Sequence, residues 1–148
     1  MDIALLDRLH ATDEEPSEIA ILLKNGEPLT AKDGTPCTIS VLGEESKAYR
    51  REETAITRAM LRSRKDRLEP EDLLKNRVRQ AAACVVAWSG FEIGGVSAPC
   101  TPDNVKAVLQ HGWILTQVER RIASHADFFG QSSPDSSTTS AGTRSSVA

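Results

Sequence analysis

The residues able to carry chemistry in this chain are few and stand apart. His10, His111 and His125 are far from one another, and none has a Cys, Asp or Glu at metal-ligand spacing such as His-x-x-x-His. Each therefore reads as a helix-terminal or surface histidine, and no metal is expected. A nucleophilic cysteine needs a lowered pKa and a neighbouring base. Cys84 instead sits inside the apolar run AAACVVAW, where burial suppresses the thiolate, and is assigned to the core. Ser89 precedes Gly90 but lacks the Gly-x-Ser-x-Gly frame of a nucleophile elbow. The run GFEIGG at 90–95 lacks the Gly-Lys-Ser/Thr ending of a phosphate cradle and follows a helical pattern, so its glycines are read as turn residues. No catalytic group and no cofactor is expected.

The sharpest remaining signal is positive charge. Arg58, Arg62, Arg64, Lys65 and Arg67 crowd the end of one helical pattern, with only Asp66 to offset them. A helix dipole favours cations at that end whatever the function, which is the plain reading. The functional reading is a docking face for an acidic or phosphate-bearing partner. A formal net charge of -3 and the lack of aromatics among the arginines count against nucleic acid.

The elements that must position these groups are mostly helices. The most apolar long stretch, 73–90, opens after Glu69-Pro70-Glu71-Asp72, a first-turn proline with carboxylates at the positive end of the dipole. Leu73, Leu74, Val78, Ala81, Ala82, Val85, Val86 and Trp88 recur at helical spacing, and Gly90 stands where a left-handed residue ends a helix. One core helix is predicted over the whole stretch. A second, charged helix is expected over about 47–67 behind the cap Ser46, with a thin apolar stripe of Tyr49, Ile56, Met60 and alanines. Thr101 as cap and Pro102 at the first helical position open a short helix, and a final one follows His111-Gly112, marked by Trp113, Ile114, Val118, Ile122 and Phe129 and reaching about residue 128.

Near the N-terminus, 1–10 reads as a short helix stopped by Asp13-Glu14-Glu15 and Pro16. The runs EIAILLK (18–24) and CTISVL (37–42) read as two strands, joined through the turn clusters at 25–28 and 32–36. Such a pair is marginal alone and must lean on helices or be completed by another chain. The expected fold is therefore α+β, mainly α with a small N-terminal two-stranded β element. It divides into a partly ordered segment 1–17, one mostly helical domain 18–129, and a disordered tail 130–148 too poor in apolar side chains to order. The three cysteines are widely spaced, and the N-terminus lacks the pattern of a signal peptide. Reduced thiols, no membrane span and a cytosolic setting follow as expectations.

Three stretches resemble the tail assembly chaperones of long-tailed bacteriophages and prophages. Ile39-Ser40-Val41-Leu42-Gly43 followed by Ser46-Lys47-Ala48-Tyr49-Arg50 is similar to that family's strand, glycine and Ser-x-Ala-aromatic-Arg helix opening. Trp88-Ser89-Gly90 resembles its Trp-x-Gly. Pro99-Cys100-Thr101-Pro102-Asp103-Asn104, then Trp113-Ile114, Gln117-Val118 and Ala126-Asp127-Phe128, resemble its Pro-x-Ser/Thr-Pro-Glu-Asn helix and closing Asn-Phe. Order and spacing agree over roughly 18–129, with departures at Cys100, Asp103 and Asp127.

The resemblance implies a non-enzymatic role in the cytoplasm of a bacterial host: binding the helical tape-measure protein and keeping it soluble while tail-tube subunits polymerise around it. It also implies a link to the tail-tube protein through a longer, frameshifted form, and leaves a homo-oligomer open. The expected partner surface is Tyr49, Ile56 and Met60 with Arg58, Arg62 and Arg64, set against intramolecular packing of the same stripe on the core helix. Trp88, Gly90, Thr101, Pro102 and Trp113 are expected to be structural. A virion structural or head-tail connector protein, and then a nucleic-acid-binding regulator, are the alternatives.

Overall fold

In the computed structural model, which describes residues 2–63 and 69–125 and only the backbone of 9–11, the alternating runs near the N-terminus form sheet. β1 (Ser17–Ala20) and β2 (Thr38–Val41) pair antiparallel with Ile19 opposite Ile39, and Ile19, Ile39 and Val41 are buried. The connection folds into two small turns. Asn25 and Asp33 each accept a bond from the backbone two residues on, Glu27 N and Thr35 N, both at 2.9 Å. From α5, Gln117 clamps the loop by bonding both the N–H and the carbonyl of Leu22 at 2.9 Å.

The sheet has three strands, which corrects the expected two-stranded element. β3 (Val85–Ser89) pairs antiparallel with β2, in the order β1-β2-β3, and comes from the second half of the stretch predicted as one helix. The fold is thus α+β, and the β pair is completed from within the chain. α3 (Pro70–Cys84) stops at Cys84, where Val85 enters extended backbone at φ -75°, ψ 122°. The Cys84 carbonyl, orphaned by the end of the helix, accepts from Leu42 N at 2.9 Å.

A bulge explains why the strand reads as helix. Val41 pairs with Val85 and Ser40 with Ala87, so Val86 is the extra residue. Val85 and Trp88, three apart, therefore both pack on the core and continue the helical spacing of Val78 and Ala81. In a regular strand they would face opposite sides.

Five helices are present among the described residues: α1 (Ile3–Thr12), α2 (Lys47–Ser63), α3, α4 (Pro102–Leu109) and α5 (Gly112–Ala123). A small hairpin, β4 (Glu92–Ile93) and β5 (Val96–Ser97), precedes α4. α5 lies against β1 and β2 and packs on α3 and α4, while α2 lies along α3. The core is where these meet: Val78, Cys84, Leu109, Leu115, Val118 and Ile122 with the inner face of the sheet. Burying each of the larger aliphatic side chains there contributes about 2 kcal/mol. The expected end of the second helix at 64–67, the end of the last helix near 128, Phe129 and the 130–148 tail lie outside the described residues.

Candidate partner-binding site

The expected docking stripe lies on α2. Ser46 opens the helix by accepting a bond from Tyr49 N at 3.3 Å, and the helix then runs along α3. Its side chains fall on different sides. Ile56 is buried (8% exposed) and half-buried Tyr49 packs against the core, whereas Met60 (39%), Arg58 and Arg62 are exposed. Arg64 lies outside the described residues. The structure thus divides the stripe. Its first part makes the α2–α3 interface, and Met60 with two arginines remains on the surface.

Two hollows flank this interface. Ile56, Ala59 and Met60 line an open groove with Lys75, Asn76 and Arg79 of α3, and an Arg79–Glu52 ion pair spans the two helices. Between the start of α2, α3 and the end of α5 is a more enclosed cleft of about 110 Å³, lined by Tyr49, Gln80, Ala81, Ile122 and Ala123 with Glu44 and the Arg77–Glu119 pair. That pair is two-pronged, Nη2 to Oε1 at 2.6 Å and Nε to Oε2 at 3.1 Å, and fastens α3 to α5. The bond to Glu119 raises the Arg77 pKa. Burial first, then Glu53 and Glu44, raise the pKa of the Tyr49 phenol, which stays protonated as a donor.

The expected structural residues sit at joints. Trp88 Nε1 donates to the Ala98 carbonyl at 2.9 Å, and its ring centroid is 4.7 Å from that of Phe91. Gly90 follows a strand rather than capping a helix. Its φ is +87°, and a Cβ there would lie 2.6 Å from the Pro36 carbonyl oxygen and 2.8 Å from Cys37 Cα, so the chain passes the backbone leading into β2 only as glycine. Thr101 Oγ1 accepts from Asn104 N at 3.3 Å, Pro102 opens α4, and Asn104 Nδ2 donates to the Pro99 carbonyl at 2.9 Å. Trp113, half-buried in the first turn of α5, packs against the core.

The thiols and imidazoles are dispersed. Burial pushes the Cys84 thiol up to about 12, and Cys37 and Cys100 are also raised, chiefly by burial. None is poised as a thiolate. His111 is exposed at the start of α5, and the His10 side chain lies outside the described residues. Among the described residues no group of three or more His, Cys, Asp or Glu is placed to hold a metal ion, and no helix is long and apolar enough to cross a membrane.

Sequence reasoning missed one polar cluster. Asp13 and His125 are both buried, with Oδ1 and Nδ1 3.5 Å apart, and His125 Nε2 lies 2.6 Å from the Glu15 carbonyl. Asp13 Oδ2 accepts from Glu45 N at 2.8 Å, and a Cβ on Gly43 would fall within 2.7 Å of both carboxylate oxygens. Gly43 therefore seats this carboxylate, and the cluster ties the end of α1 to the end of α5 and the approach to α2. Asp13 belongs to a run that reads as a helix stop, and its partner is over a hundred residues away. No local pattern announces it.

Comparison of the chain with family models, with curated proteins and with solved structures finds no match.

Proposed function

We propose that this chain is a tail assembly chaperone of a long-tailed bacteriophage or prophage. It binds the tape-measure protein in the host cytoplasm and keeps it soluble during tail-tube assembly, and it makes and breaks no covalent bond. The observation that carries the reading is the agreement in order and spacing of the three motif stretches described above.

Their residues make joints of the fold, which supports reading them together. Gly43 and Ser46 turn β2 into α2, Trp88 and Gly90 fix the exit from β3, and Thr101, Pro102 and Asn104 start α4. The helical face around α2 and α3 offers exposed Met60 and Leu73 and the open groove between the helices, suited to an apolar stripe on a helical partner.

Co-expression with the tape-measure protein of the neighbouring gene tests the proposal. That protein is expected to become soluble and to co-purify with this chain, and to stay insoluble without it. Insolubility in both cases, with no co-purification, overturns the reading. Retention of the chain in mature particles would instead favour a virion structural or connector role.

A further inference from the structure

The sheet has one covered edge and one open edge. On β1, Arg121 Nη1 donates to the outward Glu18 carbonyl at 3.0 Å, and Gln117 and Arg121 of α5 lie beside Ile19 and Ala20. On β3, Ala87 and Ser89 pair with Ser40 and Thr38, so Trp88 between them turns its N–H and C=O away from β2, and the bulge residue Val86 is left unpaired as well. Among the described residues, the backbone of Val86 and Trp88 makes no hydrogen bond outside the β2 ladder. Val86 and Ala87 are exposed. Apart from the bulge at its start, β3 carries none of the charges or prolines that keep an edge from pairing.

We infer that β3 pairs antiparallel with β3 of a second copy of this chain, joining the two sheets into one. An open edge calls for extended backbone, because a helix has already bonded its own backbone groups internally. The rest of the sheet selects the copy as occupant. With β1 covered, β3 of one chain meets β3 of the other, and two-fold pairing of like with like closes instead of growing into a filament. With the axis beside Ala87, Val86 of each copy lies opposite Trp88 of the other, so the outward groups of both residues are used. Ala87 then faces its own counterpart, and as a small uncharged residue it sets no like charges against each other.

This pairing needs no tape-measure protein, so its failure leaves the proposed function as it stands. Sedimentation equilibrium of the full chain over a range of concentrations tests it, with Ala87→Lys and Ala87→Glu measured alone and mixed, beside their melting temperatures. Ala87 is exposed, so both variants are expected to keep the fold. The wild-type chain is expected to approach the mass of two chains as concentration rises. Each variant alone sets like charges opposite each other and is expected to associate about tenfold more weakly, whereas the mixture places Lys opposite Glu and is expected to recover association. A wild-type mass of one chain at every concentration overturns the inference. Association unchanged in both folded variants, or a loss in each that the mixture does not recover, overturns it as well.

Discussion

The two ends of the molecule are held by different means. At the sheet end, Ile39, Val41, Leu115 and Val118 are at most 1% exposed, and the Asp13–His125 cluster adds polar ties between the end of α1 and the end of α5. At the other end, α2 has 17 residues of which Ile56 alone is buried, with half-buried Tyr49 and the Arg79–Glu52 pair as further attachments. A partly exposed ion pair contributes about 0.5 kcal/mol, far less than a buried aliphatic contact. α2 is therefore expected to open locally at a lower free energy than the sheet and α5.

Substitutions can break or sharpen this contrast. Leu115→Ala, at the centre of the sheet end, is expected to cost about 2–5 kcal/mol and to lower the melting point of the whole domain in a single transition. Ile56→Ala is expected to cost about 2 kcal/mol, the low end for a buried aliphatic, because the hollow it leaves opens to a groove already solvated. Its distinguishing sign is local. Amide exchange should speed up along α2 and remain slow in β2 and α5, and equal acceleration everywhere would erase the contrast.

At the sheet end, the buried Cys84 thiol contributes an alkaline pH dependence. Burial raises the folded Cys84 pKa from 9.0 to about 12, so well below pH 9 the thiol is neutral in both states and contributes no slope. Above pH 9 the unfolded chain loses this proton first, and stability falls until the folded pKa is passed. By pH 10 the loss from this group is about 1.4 kcal/mol. Denaturant titrations at pH 8 and pH 10 should therefore show a steeper decline for wild type than for Cys84→Ala. The smallest effect is expected for Arg58→Ala with Arg62→Ala, within about 0.5 kcal/mol in stability, since both side chains are exposed on the outer part of α2. A large loss there would mean that the arginines hold the fold rather than face a partner.

Much of this architecture is legible locally. Pro70 and the Thr101-Pro102 pair mark helix starts through backbone chemistry that needs no tertiary context, and the alternation in β1 and β2 reads directly as half-buried strand. β3 is not legible by periodicity, because its bulge gives Val85 and Trp88 the spacing of a helix face. The available signal was composition: Val85, Val86 and Trp88 are β-formers at the end of a stretch otherwise rich in alanine. At the candidate site, Tyr49 and Ile56 are recognisable as a helical stripe, but its division between interface and surface depends on where α3 lies. Gln80 reads as part of a polar face until α2 and α5 close over it.

Hydrogen exchange of the chain alone and bound to the tape-measure protein tests the central claim most directly. Protection is expected to rise along α2, the facing side of α3 and the last turn of α5, with β1, β2 and the centre of α5 unchanged. Protection confined to the sheet, or no change on any element in a complex that co-purifies, would contradict a helical docking face built on a separately stabilised core.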